Sequence, residues 1–102
     1  MKKAIAVVLM VFAMQAPFAI ASVDCDGLAE LAGTLMQARQ NGVPRELVEP
    51  AINRLGPVDR VFGMTTLNTA YRQAIRDTDA EKRAIVRQFR AFTLNACRES
   101  AK

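Results

Sequence analysis

The chain is 102 residues long and 51% hydrophobic, with 14 basic and 10 acidic side chains and no histidine. With Lys2 and Lys3 set aside, 12 basic residues against 10 acidic ones leave +2, too mild for the electrostatic footprint of a nucleic-acid binder, and the length suits one small domain. Without histidine the chain lacks the usual base for a thiol nucleophile and has too few clustered ligands for zinc.

In chain order, Lys2 and Lys3 give a positive start, and Ala4 to Met14 (AIAVVLMVFAM) is an uncharged apolar run. That run is too short to cross the hydrocarbon core of a bilayer. Pro17 interrupts it, and Ala19-Ile20-Ala21 sets small residues at −3 and −1 of a cut before Ser22. The pattern is that of a secretory signal over residues 1–21. It leaves a single domain over 22–102 in the periplasm, with no transmembrane segment after cleavage.

Cys25 and Cys97 are the two cysteines. Asp24 precedes Cys25 and the better cut lies upstream, so the position does not suit lipidation of a new amino terminus. An even cysteine count in an oxidising compartment points to a disulfide between them; the remaining option is pairing with another chain.

The intervening segments read as helices. Leu28, Leu31, Ala32, Leu35 and Met36 recur at the spacing of one buried helical face, with Cys25 on the same stripe. Asp24 or Asp26 can cap the start, and Asn41-Gly42 is a stop because glycine tolerates the left-handed conformation. Pro44 can open a second helix with the stripe Leu47, Val48, Ala51, Ile52 and Leu55, kinked or split at Pro50. Gly56-Pro57 ends it.

Val58, Val61 and Phe62 predict one short helical turn. Gly63 then interrupts, and a longer helix follows through Met64, Leu67, Tyr71, Ala74 and Ile75. Thr78 and Glu81 form a capping box for the last helix. Its stripe is Ile85, Phe89, Phe92 and Ala96, flanked by Val86 and Cys97. No segment alternates with period two for long enough to suggest a strand. The expected fold is all-α, a bundle of four to five helices closed by one disulfide between the start of the first and the end of the last.

The apolar stripes read as core, with Met36 and Met64 filling gaps and Tyr71 packed with its hydroxyl at the rim; a ligand cavity lined by Met36, Met64, Phe89 and Phe92 is the alternative. Glu46/Glu49 and Asp77/Asp79 resemble the paired carboxylates of a glycosidase. Glu46, Asp77 and Asp79, however, fall where a helix start favours negative charge. No catalytic residue, cofactor site or metal site is expected, and the protein is read as non-enzymatic.

When Lys2 and Lys3 leave with the signal, the 14 basic residues fall to 12 against 10 acidic ones, a net charge of +2. Arg83, Arg87 and Arg90 stand at i, i+4 and i+7 on the last helix, preceded by Arg72 and Arg76. Arginine presents a rigid fork suited to carboxylate and phosphate, so this ridge is a candidate surface for an acidic protein partner or an anionic envelope surface. A solvated face is the plainer alternative.

The cysteine opening the first helix, the stretch LAGTLMQARQNGVP, Ala70-Tyr71 and the spacing from Phe89 to Cys97 resemble a family of small, secreted, two-cysteine helical proteins often encoded by phages and prophages. Arg39-Gln40-Asn41-Gly42-Val43-Pro44 is the most specific piece. The resemblance implies export, helices, the disulfide and a phage context, but no site residues. Arg39 and Gln40, in that turn, join the arginine ridge as candidate partner-binding residues. The expected role is an interaction protein that binds and modulates or blocks a partner from an entry, lysis or toxin system. The alternative is a periplasmic acid-stress chaperone, in which protonated carboxylates loosen the structure.

Overall fold

A computed structural model describes residues 24–100; the signal expected over 1–21 and the cut before Ser22 lie outside them. The described residues form four helices: α1 (Cys25–Gln40), α2 (Arg45–Asn53), α3 (Pro57–Arg72) and α4 (Asp79–Ser100). There are no strands among them.

Each boundary has a local cause. The Asp24 carboxylate accepts the Gly27 N–H at 2.6 Å, capping α1. At its other end Gly42 has φ +75°, the Gly42 N–H donates to Arg39 O, and the Val43 N–H reaches back to Ala38 O at 3.0 Å. That pair of bonds is a Schellman motif, and it satisfies carbonyls the helix end would otherwise leave open. Pro44 occupies the position just before α2 without a side-chain cap bond, one position earlier than its expected place in the first turn. Pro57 is the first residue of α3. The Thr78 hydroxyl accepts the Glu81 N–H at 3.1 Å while the Glu81 carboxylate accepts the Thr78 N–H at 3.2 Å, the reciprocal capping box expected for α4.

Helix α1 is the centre of the molecule. It packs most extensively against α4 and next against α3, while α2 packs on α3. Ala32, Leu35, Met36, Val48, Ile52, Leu67, Ala70, Ile85 and Phe89 form the core. Cys25 and Cys97 are bonded, with Cα atoms 5.5 Å apart, so the start of α1 is joined to the last turns of α4.

Two features differ from the sequence reading. Gly63 does not divide the third segment, because α3 runs unbroken through it. It is buried, and a Cβ there would lie 2.9 Å from Ile52 Cγ2 and 3.3 Å from Leu55 Cδ1. The glycine lets α2 and α3 approach closely; it is a packing position rather than a boundary. Helix α2 likewise continues through Pro50, whose ring lies on the exposed side.

The second difference concerns the stripes. Leu47 (70% exposed), Val58, Val61, Phe62, Ile75 and Phe92 sit largely in solvent. Periodicity identifies a face, but it does not say whether another element covers it. Helix α3 ends at Arg72, which places Ala74 and Ile75 in the connecting segment rather than on a helical face. On α4 the edge turned to α1 contains Ile85, Val86, Phe89 and Cys97, and Phe92 lies to one side of it.

Candidate functional site

Helices α3 and α4 both pack on α1 but make at most marginal contact with each other. Between them runs an open groove of about 230 Å³, with Leu28 of α1 at its base. Phe62, Thr65, Thr66 and Thr69 form the α3 wall, and Phe89, Phe92, Thr93 and Ala96 form the α4 wall, with Cys97 and Ser100 toward one end. No lining residue is charged. Phe62 is 50% exposed and Phe92 68% exposed.

The hydroxyls do little to make this surface polar. Thr66 donates to Phe62 O at 2.7 Å, Thr69 to Thr65 O at 3.0 Å and Ser100 to Ala96 O at 3.0 Å. With those protons returned to their own helices, the groove presents mainly methyl groups and rings. A contiguous apolar surface of this kind marks a binding site more often than a solvated face. Periodicity places Phe92 on the stripe of the last helix and Phe62 in a short turn, and it picks out none of these threonines. The signal was the run Thr65, Thr66, Thr69, where one side of a helix carries small amphipathic residues in place of aliphatic ones.

The Arg39–Pro44 stretch is an internal clamp. Gln40 is 1% exposed. Its amide nitrogen donates to Ala74 O at 3.0 Å and its oxygen accepts the Arg76 N–H at 2.8 Å. Arg39 Nε donates to Gln73 O at 2.8 Å, and its guanidinium lies 5.5 Å from the Tyr71 ring centre. The Tyr71 hydroxyl donates to Val43 O at 2.8 Å. Gln40 is therefore unavailable to a partner, and the half-buried Arg39 is committed to the segment joining α3 and α4.

Burial raises the Tyr71 pKa above its ordinary value of 10.0; nearby Arg39 opposes the shift, Glu46 adds to it and Arg45 opposes it. A raised folded-state pKa means the neutral phenol is favoured in the fold. That contribution is present below pH about 10 and is lost as pH rises through the folded value. Following phenolate absorbance should give a midpoint above that of free tyrosine; a midpoint at or below it would contradict the packing of Tyr71.

The arginine ridge divides. Arg83 and Arg87 are exposed, and no hydrogen bond or ion pair described here uses them. Arg90 instead pairs with Glu30 of α1, and a Cβ on Gly33 would come within 2.5 Å of its Cδ. Its stem thus lies across α1 in a place only glycine leaves open. Arg98 lies 3.7 Å from Asp26. Asp26, Glu30, Arg87, Arg90 and Leu94 border a shallow depression, so the face carries both signs of charge. Arg72 is exposed at the end of α3, and Arg76 is half-buried in the segment that follows.

Among the described residues no group of three or more His, Cys, Asp or Glu could hold a metal ion, and no helix is long and apolar enough to cross a membrane. Fold and surfaces together define a disulfide-closed, all-α protein with an apolar groove. Comparison with known families, curated proteins and solved structures gives no match.

Proposed function

We propose that the chain is an exported, non-enzymatic interaction protein that acts in the periplasm by binding protein through the groove between α3 and α4. The observation that carries this reading is the uncharged groove itself, which leaves Phe62 and Phe92 in water. Fully burying such a ring contributes on the order of 1.5–3 kcal/mol; Phe62 and Phe92, half or more exposed, have gained only part of that, and association supplies the rest. The signal-like start supports export, and the two-cysteine resemblance supports a phage or prophage setting. Arg83 and Arg87, outside the fold's own bonds, offer a second, charged contact for an acidic partner.

A chaperone opened by acid would depend on carboxylates that hold the fold together. Here the paired carboxylates Glu49, Glu30 and Asp26 are 37%, 52% and 80% exposed. Such surface pairs contribute about 0–1 kcal/mol. Their protonation is a weak trigger, which favours the binding reading.

Site-specific photo-crosslinking tests it. A photoreactive residue at position 92 or 62 of the exported protein is expected to give a protein adduct, and one at position 87 reports on the basic face. Stable, exported protein that yields no adduct from 62 or 92 would overturn the reading.

A further inference from the structure

We propose that the Cys25–Cys97 bond is a redox gate on the groove: the oxidised chain presents the α4 wall, and reduction dismantles that wall while the core stays folded. The inference rests on the reading of the groove as an interaction surface and concerns its regulation.

Helix α4 divides at Arg90. Its first half is anchored by Ile85 and Phe89, which are buried in the core, and by Arg90, whose stem crosses Gly33 of α1 and whose guanidinium pairs with Glu30. From Ala91 to Ser100 every residue is half-buried or exposed. Burial of an apolar face is what fixes a helix on its neighbour, and this second half has little of it. The disulfide falls inside that half and ties it to the first turn of α1. Beside the bond, Arg98 lies 3.7 Å from Asp26 with both side chains exposed, a contact of the kind that contributes little in water.

Phe92, Thr93, Ala96, Cys97 and Ser100, most of the α4 wall, belong to the same half. Helix α3 does not hold them, since it makes at most marginal contact with α4. The opposite wall stands independently, because Leu67 and Ala70 of α3 are core residues. One covalent tie thus sets the position of one wall, and the core residues all precede Ala91.

Cys97 lines the open groove and both cysteines are half-buried, so a small dithiol reaches the bond. Its thiolate attacks Cys97 Sγ, the S–S bond breaks and Cys25 leaves as thiolate. The second thiol of the reductant then attacks the mixed disulfide and releases Cys97. The reductant departs as a cyclic disulfide, its two electrons pass to the protein, and its two protons end on the Cys25 and Cys97 thiols. Exchange with an oxidised dithiol reverses the step and rebuilds the wall. The groove therefore belongs to an oxidising compartment, and the chain is silent toward its partner where thiols stay reduced.

Amide exchange and titration with a neutral apolar dye, on the mature protein oxidised or treated with dithiothreitol at low temperature, test the gate. Reduction should accelerate exchange from Ala91 to Ser100 while Leu35, Met36, Leu67 and Phe89 stay protected. Dye affinity should fall at least about tenfold as the contact with Phe92 is lost. Cys25→Ser combined with Cys97→Ser should reproduce the reduced protein without reagent, and oxidised Arg98→Ala should match the wild type in both measurements. Reduction that leaves 91–100 protected, or that exposes the core equally, overturns the gate. Dye bound equally by both forms overturns the gate and keeps the groove; an oxidised protein that binds no dye removes the groove as an interaction surface and the gate with it.

Discussion

Replacing Cys25 and Cys97 together by alanine is expected to lower stability by about 4 kcal/mol and the thermal midpoint by roughly 15–30 °C. The bond spans a sequence separation of 72 residues, so it constrains almost the whole unfolded domain. In the chain-entropy account a loop of that size is near the upper end of what one disulfide contributes. Small domains are stable by about 5–15 kcal/mol in total, and the loss is correspondingly large. Structure adds a local effect. Cys97 lies toward one end of the groove, and α4 is held to α1 there by the disulfide and, at the exposed surface, by the Arg98–Asp26 contact. Surface pairs are weak, so release of the bond should fray the last turns of α4 first and take that end of the groove with them. Calorimetry of the oxidised protein against the double variant measures the effect. A midpoint unchanged within a few degrees would show that the helices hold without the bond.

Gln40→Ala is expected to cost roughly 2–4 kcal/mol, or about 10–25 °C in the thermal midpoint, although the residue touches no partner. Its amide is the bond that shapes the segment between α3 and α4, bonding Ala74 O and the Arg76 N–H at once. Each group left without a partner costs about 1–3 kcal/mol. Gln40→Leu separates this cause from simple loss of volume. Leucine fills the space but strands both backbone groups, so it should destabilise nearly as much as alanine. Gln40→Glu retains an acceptor for the Arg76 N–H but sets an oxygen against Ala74 O, and should also fall short. Amide exchange at Arg76 should accelerate in the alanine and leucine variants, which remove its acceptor, and less in Gln40→Glu, which keeps one. A leucine variant that melts within a few degrees of wild type would contradict the clamp.

The readable parts of the fold were those governed by local chemistry. Asp24, Gly42 and the Thr78–Glu81 pair mark helix ends because they satisfy backbone groups within a few residues, and the structure uses them so. The all-α architecture and the Cys25–Cys97 bond follow from the same level of reading. What periodicity could not supply was the arrangement of helices. Phe92 belongs to the same stripe as Phe89, yet only Phe89 is buried. Gly63 looked like a break because glycine is a poor helix former; its reason is the approach of Ile52 from another helix. Arg90 and Arg83 share a spacing, but Gly33 on α1 draws Arg90 into the interface with Glu30. Gln40 carried no local mark of burial, since its partners lie 34 and 36 residues away.

The most direct test of the open groove uses fluorine NMR. From Ser22 onward the phenylalanines are Phe62, Phe89 and Phe92, so labelling with fluorophenylalanine gives three assignable resonances. The signals of Phe62 and Phe92 should shift between H₂O and D₂O while that of buried Phe89 stays fixed. If all three are insensitive, α3 and α4 have closed on each other and there is no groove.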